Sequence, residues 1–161
     1  MSNITGNLSD FNIRRAGMRM ELKMLSEPAA LRPVRLAFEE FGRDVGLDGE
    51  TTDKIALVLN EAMANVMRHG YGGAVDKPII VTFERQGGGP EAELDITIRD
   101  WAKPFDPAKL PVKPVPTDPD QVTPGGLGLL CMRQWMDEVV FTPLPDGMLL
   151  KMVKKFRISG S

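Results

Sequence analysis

Glu61, Asn65 and His69 are spaced four residues apart in a stretch of helical character. At about 100° per residue, positions four apart drift by only about 40°, so the three side chains share one narrow stripe. The apolar stripe of the same stretch (Ile55, Leu59, Ala62, Met63, Val66) lies roughly 100° around from Asn65. The polar stripe therefore edges a buried surface instead of opposing it. A carboxylate at such a rim can act as a general base or orient a hydroxyl. An asparagine amide oxygen is a hard ligand suited to Mg2+, which keeps several waters and takes few protein ligands. The alternative is a solvated helix face that ends in a polar histidine.

Two further features carry possible chemistry. Asp100 ends the segment Leu94-Asp95-Ile96-Thr97-Ile98-Arg99. A strand-end aspartate can accept a hydrogen bond from an amino group such as the exocyclic amine of adenine, although many such aspartates only start turns. Gly125-Gly126-Leu127-Gly128 opens a helical run to about Asp137. Glycines let a backbone approach a ligand, and the free N–H groups of a first helical turn favour phosphate. The competing reading is a hinge. It is not a Walker motif, since no Gly-Lys-Ser/Thr comes after it, nor a dinucleotide fingerprint, since no strand immediately precedes it.

The elements that must position these residues are legible in outline. Residues 1–15 lack periodicity and read as a flexible N-terminal arm before a domain spanning 16–158. Met18, Met20, Leu22 and Met24 alternate with Arg19, Glu21 and Lys23, the mark of a half-buried strand. Ser26 offers an N-cap and Pro28 a first turn for a helix whose apolar residues are Leu31, Val34, Phe38, Phe41 and Val45, with Gly46 ending it. A second helix is expected from about Thr52 to His69, stopped by Gly70. Strands at Ile79–Arg85 and Glu93–Asp100 flank a Gly-rich turn, and a closing hairpin turns at Pro145-Asp146-Gly147. The segment 103–124 holds seven prolines, which forbid regular structure there. The order β-α-α-β-β-loop-α-β-β predicts an α+β sandwich, with helices on one face of a mostly antiparallel sheet.

Composition narrows the function classes. The 161 residues suit one domain with one core, and 42% apolar with 26% charged residues is ordinary for a soluble globular protein. A net charge of −2 gives no electrostatic case for nucleic-acid binding. No apolar run approaches the roughly 20 residues of a membrane span, and the first residues lack the apolar stretch of a secretion signal. One cysteine (Cys131) fits a reducing, cytoplasmic setting. Trp101, Trp135, Phe38 and Phe41 read as packing residues, Cys131 as buried, and most of the ten methionines as core.

In order along the chain, Asn60-Glu61-Ala62-Met63-Ala64-Asn65-Val66-Met67-Arg68-His69-Gly70-Tyr71, Asp100-Trp101-Ala102-Lys103-Pro104-Phe105-Asp106-Pro107 and Gly125-Gly126-Leu127-Gly128-Leu129 resemble the three boxes of the GHKL ATPases. The His-Gly-Tyr ending, the Pro-Phe-Asp-Pro run and a short lid are similar to the anti-sigma-factor serine kinase branch. The resemblance covers roughly residues 16–157 and implies a Bergerat fold, a two-layer α/β sandwich.

It also implies roles. Asn65 would hold a Mg2+ ion bridging the phosphates of ATP, with Glu61 the catalytic carboxylate and His69 in the same box. Asp100 would accept from the adenine amine, with Ala102 and the ring of Phe105 near the base. In Gly125-Gly126-Leu127-Gly128, the backbone N–H groups of Gly126 and Gly128 would meet the β- and γ-phosphates, and residues 108–124 would form a lid, expected to be disordered without nucleotide. The acceptor in this branch is a serine on a STAS-type anti-anti-sigma protein, and the kinase, usually a homodimer, also sequesters a sigma factor. Met18, Met20 and the first helix fall where relatives pair. The chain departs from the pattern in having Ala102 where Gly is common, and in having no arginine in 108–124. Lys109, Lys113, Arg133 or a partner's cation could meet the γ-phosphate instead. The alternative function is a nucleotide-responsive binding module that transfers no phosphate.

Overall fold

The structure, a computed structural model, describes residues 10–109 and 132–158. The alternation at Met20, Leu22 and Met24 becomes strand β2 (Arg19–Leu25), with those three side chains buried. Residues 12–15, expected in a loose arm, instead belong to strand β1 (Asn12–Ala16), which pairs antiparallel with β2. β1 escapes a periodicity test because it is an edge strand, and of its side chains only Ile13 is partly buried. Gly17 makes the turn between them at a φ of 59°. Met20 is buried, whereas Met18 lies exposed beside this turn.

Ser26 does not cap a helix. It is buried, its hydroxyl donates to the Ala74 carbonyl at 2.5 Å and accepts the Lys77 N–H at 3.2 Å, and a 3-10 turn at Pro28–Ala30 leads into helix α1 (Leu31–Val45). These partners, about 50 positions downstream, outcompete a local cap. Gly46 closes α1 in the left-handed region at a φ of 95°, as its sequence position suggested. Helix α2 (Gly49–Asn65) starts earlier than expected because Asp48 caps it, accepting the Thr51 N–H at 2.7 Å. The Thr51 N–H and hydroxyl hold the Asp48 carboxyl below its ordinary pKa.

Strands β3 (Pro78–Gln86) and β4 (Glu91–Asp100) form a hairpin, and β5 (Glu138–Leu144) and β6 (Gly147–Arg157) form another. The six strands run β1-β2-β3-β4-β6-β5, and every neighbouring pair is antiparallel. The fold is thus the α+β arrangement anticipated, with helices laid on the inner face of one sheet. Phe38 and Phe41 of α1 meet Phe83 of β3, ring centroids 5.1 and 5.7 Å apart, and all three are fully buried. Fully burying one such side chain stabilises by about 1.5–3 kcal/mol. Met24, Met63, Met67, Met132, Met136, Met148 and Met152 are likewise buried, so these methionines serve the core.

Residues 132–135 are helical, and Met132 and Met136 anchor that end of the chain in the core. Gly125, Gly126, Leu127, Gly128 and Cys131 lie outside the described residues, as does the lid segment beyond 109. Trp135 is half-buried against the core as expected, but Trp101 is 37% exposed, with the Arg99 guanidinium 4.3 Å above its ring. A residue just past a strand end has no second layer to bury it, and stacking with a cation takes the place of packing.

Candidate functional site

Side-chain alternation explains how a carboxylate comes to be buried here. Ala92, Leu94, Ile96 and Ile98 occupy the inner face of β4, and Asp100 is the next member of that series. The register sets Asp100 between Ile79 of β3 and Met148 of β6, both nearly inaccessible. A charged group where the pattern calls for an apolar one is a local conflict of the kind functional sites retain. Burial pushes the Asp100 carboxyl above its ordinary pKa, while the Ala102 and Met148 N–H groups and nearby Arg99 pull it back. Asp100 Oδ1 accepts the Ala102 N–H at 3.0 Å.

The helix end that faces this strand end has an unusual winding. α2 stops at Asn65, and Val66–Gly70 form a π-helical turn, closed when the Tyr71 N–H donates to the Val66 carbonyl at 2.8 Å. The expected single helix to His69 is therefore interrupted. Glu61 and Asn65 remain on one α-helical stripe, while His69 falls within the π-turn and is exposed. Glu61 is half-buried and makes no ion pair among the described residues. Asn65 Oδ1 is buried and accepts no hydrogen bond among the described residues. An unsatisfied buried amide oxygen is costly and rare, and it is the donor a hard cation would take. Asn65 thus fits a Mg2+ ligand on its own geometry.

Two contacts join the helix end to the strand end. The Tyr71 hydroxyl accepts the Trp101 N–H at 2.7 Å and donates to the Pro78 carbonyl at 2.6 Å. Gly70 lies against the methyl group of Ala102. Burial, with the charge of Asp100 adding to it, raises the Tyr71 pKa, so the hydroxyl keeps the proton it donates. Beneath the strand end, Gly147 packs so tightly that an added Cβ would collide with the Asp100 carbonyl oxygen and Trp101 Cα. Arg99 donates to that same carbonyl oxygen and pairs with Asp146 at 2.5 Å.

The structure thus brings Asn65, Asp100 and Ala102 to one end of the molecule with Glu61 one helical turn away. Phe105 stands apart from Asp100 in its contacts: its ring packs on Phe141 of β5, with centroids 5.6 Å apart, and is 40% exposed. Arg99, Asp146 and Gly147 carry no reading as parts of the site in the sequence, and Tyr71 enters there only as the end of the first box, with no contact assigned to its hydroxyl. The one signal for the others was that Asp146-Gly147 is a turn pair.

Residues 24–154 match the family described as Histidine kinase-like ATPase domain. Similar proteins include the serine-protein kinase RsbW of Bacillus licheniformis, 27% identical over 146 residues, 88% of this chain and 88% of that protein. The serine-protein kinase RsbW of Bacillus subtilis is 26% identical over 124 residues, 74% of this chain and 75% of its own length. The anti-sigma F factor of Clostridium acetobutylicum is 26% identical over 144 residues, covering 87% and 95%.

Proposed function

The chain belongs to the histidine kinase-like ATPase family, and from that premise we propose that it is an ATP-dependent protein serine kinase of the anti-sigma-factor type. Its substrate is a serine on a STAS-type anti-anti-sigma protein, and it also holds a sigma factor, acting as a cytoplasmic homodimer. Its relatives bearing kinase and anti-sigma names support this reading. The observation that carries it is the pairing of a buried carboxylate, Asp100, with an unsatisfied buried amide oxygen, Asn65, at one end of the fold.

In this proposal Asp100 accepts from the adenine amine, with its carboxylate oriented by the Ala102 N–H. Asn65 holds Mg2+, which when bound neutralises phosphate charge. Glycines 125, 126 and 128 offer backbone N–H groups to the phosphates. The serine hydroxyl oxygen attacks the γ-phosphorus, the bond from that phosphorus to the bridging oxygen breaks, and ADP departs. Glu61 takes the hydroxyl proton and returns it to water.

Two assays on the full chain test this: calorimetry with ATP with and without Mg2+, and phosphate transfer to a STAS-type protein. Wild type is expected to bind ATP and to transfer, while Glu61→Ala keeps the nucleotide and loses transfer. Nucleotide binding without transfer by wild type would sink the kinase reading. It would favour the nucleotide-responsive binding module, to which the absence of arginine from 108–124 already points.

A further inference from the structure

The peptide joining Asp100 to Trp101 lies where the sheet stops holding the chain. Asp100 is the last residue of β4 paired to either neighbour, opposite Ile79 and Met148, so no ladder fixes the backbone beyond it. Both ends of that peptide are nevertheless held. Its carbonyl accepts from Arg99, and its N–H donates to the Tyr71 hydroxyl at 2.7 Å. Tyr71 is in turn tied twice: its hydroxyl donates to the Pro78 carbonyl at 2.6 Å, and its own N–H closes the π-turn just after Asn65. One side chain therefore links the helix end bearing Asn65 to the strand end bearing Asp100.

We infer that Tyr71 is a positioning residue that sets the aim of the Asp100 carboxylate, and so the preference for adenine over guanine. This rests on the reading that the site binds an adenine nucleotide. A carboxylate selects adenine because it accepts from the amine, whereas the guanine carbonyl at the same place repels it, and such discrimination depends on aim. A freed Trp101 peptide would let the carboxylate turn about the strand end.

The test is Tyr71→Phe in the full chain, which keeps the ring and removes only the hydroxyl. Dissociation constants for ATP and GTP are measured by calorimetry, with urea unfolding alongside. The expected result is an ATP affinity lower by about tenfold, the size of one lost hydrogen bond, with GTP affinity unchanged, so that the ATP-over-GTP ratio narrows. A loss of stability alone would leave that ratio where it was. In an Asp100→Asn background the same change should cost no further ATP affinity, because Tyr71 acts through that carboxylate. An unaltered ratio in Tyr71→Phe, or equal losses for both nucleotides, overturns the inference and leaves ATP binding standing. A wild-type chain that binds no adenine nucleotide overturns both.

Discussion

Gly70 and Ala102 touch across the site: a Cβ placed on Gly70 would stand 3.3 Å from the Ala102 methyl carbon, closer than such carbons ordinarily approach. The methyl group at 102 is thus accommodated by a bare backbone at 70. Substitutions at the two positions should be coupled. Gly70→Ala is expected to cost about 0.5–1 kcal/mol more in the wild-type chain than in an Ala102→Gly background. A double-mutant cycle in urea checks this, and simple additivity would show that the contact is slack.

Gly147→Ala should be the most damaging single methyl group added near the site. The new Cβ would run into the Asp100 carbonyl and the Trp101 backbone, and backbone cannot step aside as a side-chain tip can. The expected cost is about 1–3 kcal/mol of stability, with a loss of ATP affinity because the displaced peptide is the one that carries Asp100. Denaturant unfolding together with calorimetry measures both.

Asp100 should make stability and nucleotide binding respond to acid in opposite directions. Its pKa in the folded chain is raised above the ordinary 3.8 by burial. The folded chain therefore holds this proton more tightly than the unfolded one. Its contribution to stability is fully present below 3.8 and is lost as pH rises through the folded value. ATP affinity, which needs the carboxylate as acceptor, should fall as pH drops through that same window. Asp100→Asn is expected to fold at least as stably as wild type at neutral pH, to bind ATP at least about tenfold more weakly, and to lose this arm of the pH profile. Thermal melts and ATP titrations between pH 4 and 7 would reveal it.

Asn65→Ala should leave stability unchanged or slightly raised, because it removes a buried acceptor that has no partner among the described residues. ATP affinity in the absence of Mg2+ should be nearly unaffected, while the increment that Mg2+ adds in wild type should vanish. Calorimetry with and without Mg2+ decides this. A variant that unfolds more easily by about 2 kcal/mol would instead mark the amide as part of the scaffold.

The range of each interaction decides whether the sequence could disclose it. Leu94, Ile96 and Ile98 announce β4 by simple alternation, and Asp100 continues their phase, so its burial could be read from spacing. Gly46 ends α1 where a local rule places it. Val66–Gly70 could not be read this way, because nothing in that composition separates i→i+5 from i→i+4 winding. The partners of Ser26 and Tyr71 also lay out of reach. The Ser26 hydroxyl finds Ala74, 48 positions away, and Tyr71 finds Trp101, 30 positions away. β1 stayed hidden because an edge strand with mostly exposed side chains writes no pattern.

The π-turn after Asn65 makes the site sensitive to the number of residues as well as to their kinds. Between Asn65 and Tyr71 the backbone accommodates one residue beyond what an α-helical path would need to close the same turn. Removing one residue from 66–70 would let the same turn close by α-winding, whereas adding one would exceed what the π-turn absorbs and swing everything after it by about 100°. The tyrosine would then leave Trp101, although no residue named in the site had been changed. For this protein, single-codon insertions in that short stretch should be tolerated far less well than single-codon deletions there or substitutions at its exposed positions, Arg68 and His69.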